Sequence, residues 1–186
     1  MTEIVTKRLC LRPFRAADLP TFVAYRSTPS VARYQSWDTT YSQADAERFL
    51  AEQQTVELGQ PGEWVQLAAV DRETGELCGD CAVRIEDDEP ASAEIGVTLA
   101  PEHQGRGLAS EALGAVIATL FERFGVERVH AETDARNAAV HRLLERLRLR
   151  CEKRIPDAEW FKGEWVSLSI YAITREQWGR EPHSRT

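Results

Sequence analysis

The stretch from Ala93 to Ala112 constrains the fold of this chain more than any other. It opens with alternating apolar residues, Ile95, Val97 and Leu99, a pattern typical of a β-strand. A glycine-rich segment, 104–109, follows the strand. Beyond it, apolar residues recur at steps of three and four, which predicts a helix with one buried face: positions 109, 112, 113, 116, 117, 120, 121 and 124. The stretch therefore predicts a strand, a tight glycine turn and a helix.

Gly105 and Gly107 determine what this turn can bind. Glycine lets main-chain N–H groups point outward with no Cβ in the way, and the start of a helix adds unpaired amides and the positive end of its dipole. Such a junction holds a phosphate group. On this motif alone, an ordinary strand-to-helix turn remains the alternative.

Composition and charge narrow the class of protein. The 186 residues suit one domain with a sizeable core, and 42% hydrophobic with 28% charged residues is ordinary for a globular protein. No apolar run is long enough to cross a membrane and the N-terminus has no apolar signal core, so we expect a cytoplasmic protein with no membrane partner. The net charge of -7 and the lack of a long basic stretch argue against direct nucleic-acid binding. A net negative charge is compatible with a cationic substrate, although in most acidic proteins it serves only solubility.

The spacing Cys78-Gly-Asp-Cys81 invites a metal or redox interpretation. It lies in a strand-like segment, however, where residues three apart face opposite sides of the sheet. No second Cys or His pair offers partner spacing, and the histidines form no ligand pattern. We therefore expect buried free thiols and no bound metal.

The remaining segments predict one α/β domain over residues 1–178 and a disordered tail over residues 179–186. Ser42 is the expected N-cap of the second helix, with Asp45 in its first turn. The strands at 93–99 and 126–134 flank a helix and should be parallel by the right-handed crossover rule. The predicted strands are 8–14, 64–71, 76–86, 93–99, 126–134, 149–155 and 165–174, and the predicted helices are 17–26, 42–58, 107–124 and 137–147, with a short helical piece and a loop over 27–41.

Gln104-x-x-Gly107-x-Ala109 matches the Q/R-x-x-G-x-G/A motif of the GCN5-related N-acetyltransferases, and PEHQGRGLASEAL closely resembles their ribosomal-protein alanine acetyltransferase subgroup. The order of segments fits this resemblance over nearly the whole chain. It implies a mixed, largely antiparallel twisted sheet of six to seven strands with helices on both faces. A dinucleotide-binding alternative, from Gly105-x-Gly107-x-x-Ser110, fails because such folds place the motif after the first strand and want Gly or Ala where Ser110 stands.

The resemblance implies an acetyl-CoA-dependent N-acetyltransferase that acts on a primary amine, either a protein N-terminus or a small molecule. Acetyl-CoA would be a cosubstrate, and the amine would attack it directly in a ternary complex. The turn would hold the pyrophosphate, strand main chain would pair with the pantetheine arm, and Asn137 would hydrogen-bond the coenzyme or cap its own helix. The implied coenzyme-binding residues are Val97, Thr98, Leu99, Gln104, Gly105, Arg106, Gly107, Leu108, Ala109 and Asn137.

Glu94 is the candidate catalytic base, because a carboxylate inside an interior strand is costly unless it meets solvent, a donor or substrate. The alternative is a structural glutamate, either held by a neighbouring arginine or exposed at the strand end. Val140 stands where the family has a serine near the leaving sulfur, and Arg148-Leu149 replaces the usual Gly-Phe. The general acid is thus left among Tyr171, His141, water or none. These departures keep open a coenzyme A-binding regulatory or interaction protein with little turnover.

Aromatic residues in irregular segments are the candidates for acceptor binding: Tyr34, Trp37 and Trp160, with Phe161 beside them. The alternative is that they belong to the core or to a dimer contact. A monomer and a homodimer are both compatible with the sequence.

Overall fold

The computed structural model describes residues 3–180, which form one eight-stranded sheet with six α-helices and two short 3-10 helices. Among these residues no helix has both the length and the apolar character needed to cross a bilayer. The strands are β1 (Ile4–Val5), β2 (Leu9–Pro13), β3 (Val65–Asp71), β4 (Leu77–Ile85), β5 (Ser92–Leu99), β6 (Arg128–Asp134), β7 (Arg150–Phe161) and β8 (Glu164–Thr174). The helices are α1 (Leu19–Arg26), α2 (Pro29–Ala32), α3 (Gln43–Gln53), α4 (Leu108–Arg123), α5 (Ala138–Arg146) and α6 (Arg175–Gly179).

The strand order is β1-β2-β3-β4-β5-β6-β8-β7, and every neighbouring pair is antiparallel except β5 and β6. This confirms the mixed, largely antiparallel sheet and the parallel β-α-β unit. The expected count of six to seven strands was wrong. The additional strand is β1, whose two residues pair with Leu11 and Cys10 and are too few to show an alternating pattern.

Helices cover both faces of the sheet, as predicted. On one face α4 and α5 pack against the larger core cluster, which includes Leu113, Ile117 and Leu144. On the other face α1 and α3 contribute Phe22 and Ala46 to a smaller cluster. The apolar positions of α4 that step by three and four supply most of its buried residues.

Three predicted boundaries needed correction. α3 ends at Gln53 rather than near 58: the Thr55 amide donates to the Glu52 carbonyl (3.1 Å) in a tighter turn, and the Gln53 side chain contacts the Trp64 carbonyl (3.0 Å) and the Gln66 amide (2.7 Å). β7 continues to Phe161 through two register shifts, where Pro156 breaks the alternating pattern. α6 ends at Gly179, so helix extends into the predicted tail, of which residues 181–186 lie outside the described part of the chain.

A bulge in β4 overturns the expectation that Cys78 and Cys81 face opposite sides. Ala69 pairs with Gly79 but Val70 pairs with Leu77, so Cys78 is an extra residue on its strand. A Cβ at Gly79 would lie 2.1 Å from the Thr98 carbonyl oxygen, which restricts this position to glycine. Both thiols therefore enter the same core cluster, where they are fully buried and free. Burial raises the pKa of each thiol, so both stay protonated at neutral pH.

Asp18 anchors the first helical turn through a buried ion pair. Its two carboxylate oxygens accept from the Arg12 guanidinium at 2.7 and 2.9 Å, and one also accepts from the Arg15 amide at 2.8 Å. Burial acts to raise the pKa of this carboxyl, but the hydrogen bonds from Arg12 and Arg15 outweigh burial and the pKa is lowered. The pair therefore stabilises the fold at pH values above the ordinary carboxyl range.

We expect Asp18→Asn to lower the free energy of unfolding by about 3–5 kcal/mol at neutral pH, because it leaves the Arg12 charge buried without its partner. The pKa of Asp18 is lowered in the folded protein. The difference in free energy of unfolding between wild type and variant should therefore shrink as pH falls below about 4, where the wild-type carboxyl itself becomes protonated. Urea denaturation across this pH range measures the effect. Glu176→Gln, which removes an exposed pair with Arg180, serves as the control and should cost less than about 0.5 kcal/mol. An equal cost for both variants would contradict the assignment.

Candidate active site

β5 and β6 pair only at their first residues. Ser92, Ala93 and Glu94 pair with residues 128–130, and beyond that point β6 pairs with β8 alone. The two parallel strands therefore diverge and leave the main chain of 95–99 facing a cleft on its β6 side. The β4–β5 pairing shows no register shift, so β5 stays fully paired on its other side.

A cavity of about 570 Å³, called here the coenzyme cavity, fills one side of this cleft. Its walls are the second half of β5, the glycine turn, the first turn of α4 and the exposed face of α5. Arg106 is the one implied coenzyme-binding residue that does not line it. The others do: Val97, Thr98, Leu99, Gln104, Gly105, Gly107, Leu108, Ala109 and Asn137.

Gly105 and Gly107 adopt the left-handed backbone conformation, with φ of 72° and 77°. Gly107 is the N-cap of α4, and no side chain caps the helix start. The first amides of this sixteen-residue helix therefore remain available at the cavity wall, together with the positive end of the helix dipole. This geometry suits an anionic phosphate group.

Two residues of the turn use their polar groups to hold its shape. The Gln104 side-chain amide donates to the Leu99 carbonyl at 3.0 Å, which closes the turn back onto β5. The Arg106 carbonyl accepts from the Arg8 guanidinium at 2.9 Å. Gln104 and Arg106 therefore both help to hold the shape of the turn.

An N-terminal brace, formed by Thr6, Arg8 and Glu111, joins the β1–β2 turn to α4. The Glu111 carboxylate accepts from the Thr6 hydroxyl (2.6 Å), the Arg8 amide (2.6 Å) and the Arg8 side-chain Nε (2.7 Å). Burial tends to raise the pKa of Glu111, but the hydrogen bonds from Thr6 and Arg8 lower it overall, so the carboxylate stays ionised. Sequence reasoning missed this brace because its members lie about a hundred residues apart and carry no local pattern.

Two arginines of α5 were also missed as site residues. Arg142 and Arg146 both line the coenzyme cavity, and Arg146 donates to the Ser110 hydroxyl on α4 at 3.2 Å. They are four residues apart and so lie on one face of the helix, a spacing from which the sequence could have identified them as a pair. They bring positive charge to this cavity from α5.

Asn137 and Val140 lie together at the start of α5. The Asn137 side-chain oxygen accepts from the Val140 amide at 3.3 Å, so its role as helix N-cap is observed, and the residue also lines the coenzyme cavity. Val140 lines the same cavity and presents only methyl groups there. Neither His141 nor Tyr171 lines it, and Tyr171 is a buried core residue whose hydroxyl lies 3.4 Å from the Glu145 carboxylate.

A second cavity of about 620 Å³, called here the acceptor cavity, meets the coenzyme cavity at β5. The two share residues 95–98, 132–133 and 34–35 as walls. Tyr34 thus stands at their junction, and Trp37 lines the acceptor side. Trp160 lies outside both linings, with 61% of its surface exposed and its ring against Trp165, while the neighbouring Phe161 lines the acceptor cavity.

Arg26 lines the acceptor cavity, and its guanidinium lies among aromatic side chains. Its guanidinium carbon lies 3.7 Å from the Trp37 ring centroid and 4.2 Å from that of Phe22. The buried Asp80 carboxylate lies nearby and accepts from the Tyr25 hydroxyl and from the Gln66 amide. Burial raises the pKa of Asp80 and the charge of Arg26 opposes that shift, so the two groups offset one another electrostatically.

Glu94 lines the acceptor cavity and is also paired with Arg84 at 2.7 Å. Both interpretations of this residue therefore have a structural basis. Burial raises the pKa of the Glu94 carboxyl, the Arg84 charge opposes the rise, and the nearby charges of Glu132 and Glu86 add to it. A carboxylate with a raised pKa in a cavity suits proton transfer.

Glu132 is a second carboxylate where the two cavities meet, and sequence reasoning missed it. It follows the last β5–β6 pair on β6 and lines both cavities. A lone glutamate in a strand gives no signal until the divergence of the strands is known.

Glu86, Glu94 and His130 bring ligand atoms within 4.8 Å of one another, a spacing that a metal ion can bridge. The Arg84 guanidinium already lies 2.7 Å from Glu94 and 3.7 Å from Glu86. These carboxylates thus have a positive partner within the protein, and a reaction without a metal stays a prediction.

Comparison with known proteins identifies the family that this fold and these cavities define. Residues 8–150 match the acetyltransferase (GNAT) domain family. An uncharacterized N-acetyltransferase of Bacillus licheniformis, p20, is 28% identical over 178 residues, which cover 96% of this chain and 99% of that protein. The chain belongs to the GNAT acetyltransferase family and is an acetyltransferase.

Solved structures show the same fold. The GNAT-family acetyltransferase from Bacillus anthracis superposes with a TM-score of 0.82 at 23% identity and covers 94% of this chain and 99% of that one. RimL, a ribosomal L7/L12 alpha-N-protein acetyltransferase solved in complex with coenzyme A, gives a TM-score of 0.80 at 21% identity, with coverage of 93% and 98%. The β7–β8 hairpin lies beyond the matched family range except for its first residue, Arg150, and it contributes Glu159 and Phe161 to the acceptor cavity.

Proposed function

We propose that this protein transfers the acetyl group of acetyl-CoA to a primary amine by direct attack in a ternary complex. The observation that carries the proposal is the junction of two cavities at the diverging strand β5. One cavity ends on a glycine turn and a free helix start, and the other opens between aromatic and acidic side chains. A thioester held from one side and an amine held from the other would meet at residues 95–98.

The residues of the coenzyme cavity fit the chemical parts of acetyl-CoA. The amides of the glycine turn and of the first turn of α4 would hold the pyrophosphate, and Arg142 and Arg146 would face negative charge from α5. Main-chain groups of β5 around Val97, Thr98 and Leu99 would pair with the pantetheine arm. One of their N–H groups would donate to the thioester oxygen as charge develops on it.

Glu94 is the proposed base for the amine. An ammonium group has a pKa of about 8 to 10 and must lose a proton before its nitrogen can attack. Glu94 lines the acceptor side with a raised pKa, which supports proton transfer directly or through water. The attack forms the C–N bond, collapse of the tetrahedral intermediate breaks the C–S bond, and no covalent enzyme intermediate is needed.

Val140 lines the coenzyme cavity at the position where the family has a serine near the leaving sulfur. We expect Val140→Ser to raise kcat by up to about tenfold, below the full effect of a positioned acid because a thiolate also leaves without protonation. The dissociation constant for acetyl-CoA should change little. Val140→Ala is the size-matched control without a hydroxyl, and steady-state kinetics beside calorimetric titration measure both quantities. A kcat for the Ser variant no higher than that of the Ala variant would mean that the hydroxyl adds nothing.

Release of free thiol from acetyl-CoA with a panel of primary amines and N-terminal peptides tests the proposed function. We expect thiol release that depends on at least one acceptor, with the acetylated product identified by mass spectrometry. Binding of coenzyme A with no acceptor-dependent release would instead favour the regulatory or interaction role.

A further inference from the structure

Lys162 joins the tip of the β7–β8 hairpin to the irregular segment that follows α2. Its ammonium group donates to the Ala32 carbonyl and to the Trp37 carbonyl, each at 2.6 Å. The Asp38 carboxylate lies 3.7 Å from the same nitrogen. These contacts, called here the Lys162 bridge, connect the hairpin to residues that lie 130 and 125 positions earlier in the chain.

The two carbonyls flank a loop of residues 33–36. The Gln35 amide also donates to the Ala32 carbonyl, at 3.0 Å. Within residues 3–180, the amides of 36–38 donate no hydrogen bond to another main-chain group, so main-chain contacts alone do not close this loop. The Lys162 bridge brings both ends of the loop to one ammonium group and thereby sets its shape.

The backbone of the hairpin tip supports a specific role for Lys162. Phe161 pairs with Glu164, and the two turn residues between them, Lys162 and Gly163, have φ of 49° and 88°. Turns of this kind favour asparagine, aspartate or glycine, because other side chains are strained at positive φ. A strained residue persists where surrounding contacts hold it in place. The Lys162 bridge supplies such contacts.

The loop and the hairpin form two walls of the acceptor cavity. Tyr34 belongs to the loop and stands at the junction of the two cavities. Glu159 and Phe161 of the hairpin line the acceptor cavity. Lys162 lines neither cavity, so it contacts the walls and not the space between them. The Lys162 bridge therefore sets the separation of these walls.

We propose that Lys162 is a positioning residue for acetyl transfer, which holds Tyr34 at the cavity junction and fixes the separation of the walls between which the amine is oriented. This inference rests on the proposed function and adds a residue that acts on the acceptor side without touching the reacting atoms. Orientation has a large effect on the rate, because a displacement of about 1 Å can lower it about 100-fold.

The segment keeps a second attachment when the Lys162 bridge is removed. The Trp37 indole N–H donates to the Arg26 carbonyl at 3.1 Å, and the Trp37 ring centroid lies 3.7 Å from the Arg26 guanidinium carbon. Lys162 itself lies at the surface, with 28% of its side chain exposed. We therefore expect variants at Lys162 to fold, with effects confined to the loop and the acceptor cavity.

Lys162→Met tests the Lys162 bridge in the free protein. Methionine keeps an unbranched side chain and a similar backbone cost at positive φ, but it has no ammonium group. Hydrogen exchange at the Gln35 amide, followed by NMR, measures closure of the loop. We expect exchange about tenfold faster or more in the variant, because hydrogen bonds from a charged group shift a local opening equilibrium by that much. Lys153→Met makes the same charge change on β7 outside both linings and should exchange as the wild type does.

Thiol release under saturating acetyl-CoA measures the effect on transfer. The acceptors are the panel members that the wild type acetylates, beginning with 2-phenylethylamine and an alanine-initiated tetrapeptide. We expect Lys162→Met to lower kcat/KM for the acceptor about tenfold or more, through misplacement of the amine. The dissociation constant for acetyl-CoA should stay within about threefold of the wild type in calorimetric titration. Lys162→Arg keeps the charge and the donors and should restore kcat/KM to within about threefold, and Lys153→Met should leave it unchanged.

The possible failures are distinguishable. Unchanged exchange at Gln35 in Lys162→Met would overturn the inference, because the ammonium group would then not close the loop. Faster exchange with unchanged kcat/KM would also overturn it and leave the proposed acetyl transfer standing. An equal loss of acetyl-CoA affinity and of kcat/KM would assign Lys162 a general structural role instead. No thiol release by the wild type with any amine or peptide would reject the proposed function itself, and this inference with it.

Discussion

Glu94→Gln is expected to lower kcat by roughly 10²–10⁴-fold, the usual contribution of a positioned general base. Glutamine keeps the size of the side chain and a hydrogen-bonding oxygen beside Arg84 but cannot accept the amine proton. The affinity for acetyl-CoA should hardly change, since Glu94 lines only the acceptor cavity. Steady-state kinetics over a range of pH, combined with a thermal melt, measure the effect.

The pH profile distinguishes a base from a structural anchor. Burial raises the pKa of Glu94, so the wild-type rate should fall on the acid side at a pH above that of an ordinary glutamate, because the protonated carboxyl cannot accept the proton. Glu94→Gln should lose this acid limb and recover part of its rate at high pH, where more of the amine is already neutral. A lower melting temperature with an unchanged rate per folded molecule would instead assign Glu94 a structural role.

Glu86→Gln is the matched control. Glu86 contacts the same Arg84 guanidinium at 3.7 Å and lies 3.8 Å from His130, but it lines neither cavity. Removing its charge disturbs the same cluster and leaves the cavity carboxylates in place, so kcat should stay within about threefold of the wild type, since only the field on Glu94 changes. If Glu94→Gln is fully active and Glu132→Gln is not, the base is Glu132 and the assignment of Glu94 is wrong.

Gly105→Asp is expected to raise the dissociation constant for acetyl-CoA about 100-fold, or ~2.7 kcal/mol. Its Cβ would meet no atom within 4 Å, so the side chain fits sterically and the effect comes from placing a carboxylate against the pyrophosphate. Two like charges about 4 Å apart repel by about 4 kcal/mol at an effective dielectric constant of about 20, which is ample for such a loss. Calorimetric titration measures the affinity directly.

Gly105→Asn separates charge from backbone strain. Asparagine and aspartate both tolerate the left-handed conformation that Gly105 adopts at φ 72°, so the two variants carry a similar backbone cost. The Asn variant should bind acetyl-CoA within about tenfold of the wild type, and the melting temperatures of the two variants should agree. Similar affinities for Asp and Asn would move the phosphate site away from this turn.

The parts of the site that the sequence predicts are those encoded by neighbours along the chain. The alternation of Ile95, Val97 and Leu99, the glycines of the turn and the periodicity of α4 are local, and the structure places this unit as expected. Asn137 as a helix N-cap is local in the same sense. The resemblance of these segments to one family then implied the mixed, largely antiparallel sheet that contains them.

The parts that the sequence does not predict depend on tertiary contacts. The bulge that aligns Cys78 with Cys81 arises from the approach of Gly79 to β5, and the exclusion of Trp160 from the acceptor cavity depends on the course of the β7–β8 hairpin. Glu132 becomes a site residue only because β6 leaves β5 just before it. Each of these features depends on contacts with a second strand or hairpin, so the local sequence alone does not predict it.

The N-terminal brace also makes the phosphate turn part of a cooperative unit with the opening hairpin of the chain. Thr6 and Arg8 hold Glu111 and the Arg106 carbonyl, so opening of the first hairpin would release the turn and the start of α4 together. By thermodynamic linkage, a ligand that requires the ordered turn must stabilise the hairpin by the same free energy. Binding of a ligand in the coenzyme cavity is thereby coupled to the folding of the β1–β2 hairpin, which lies at one edge of the sheet.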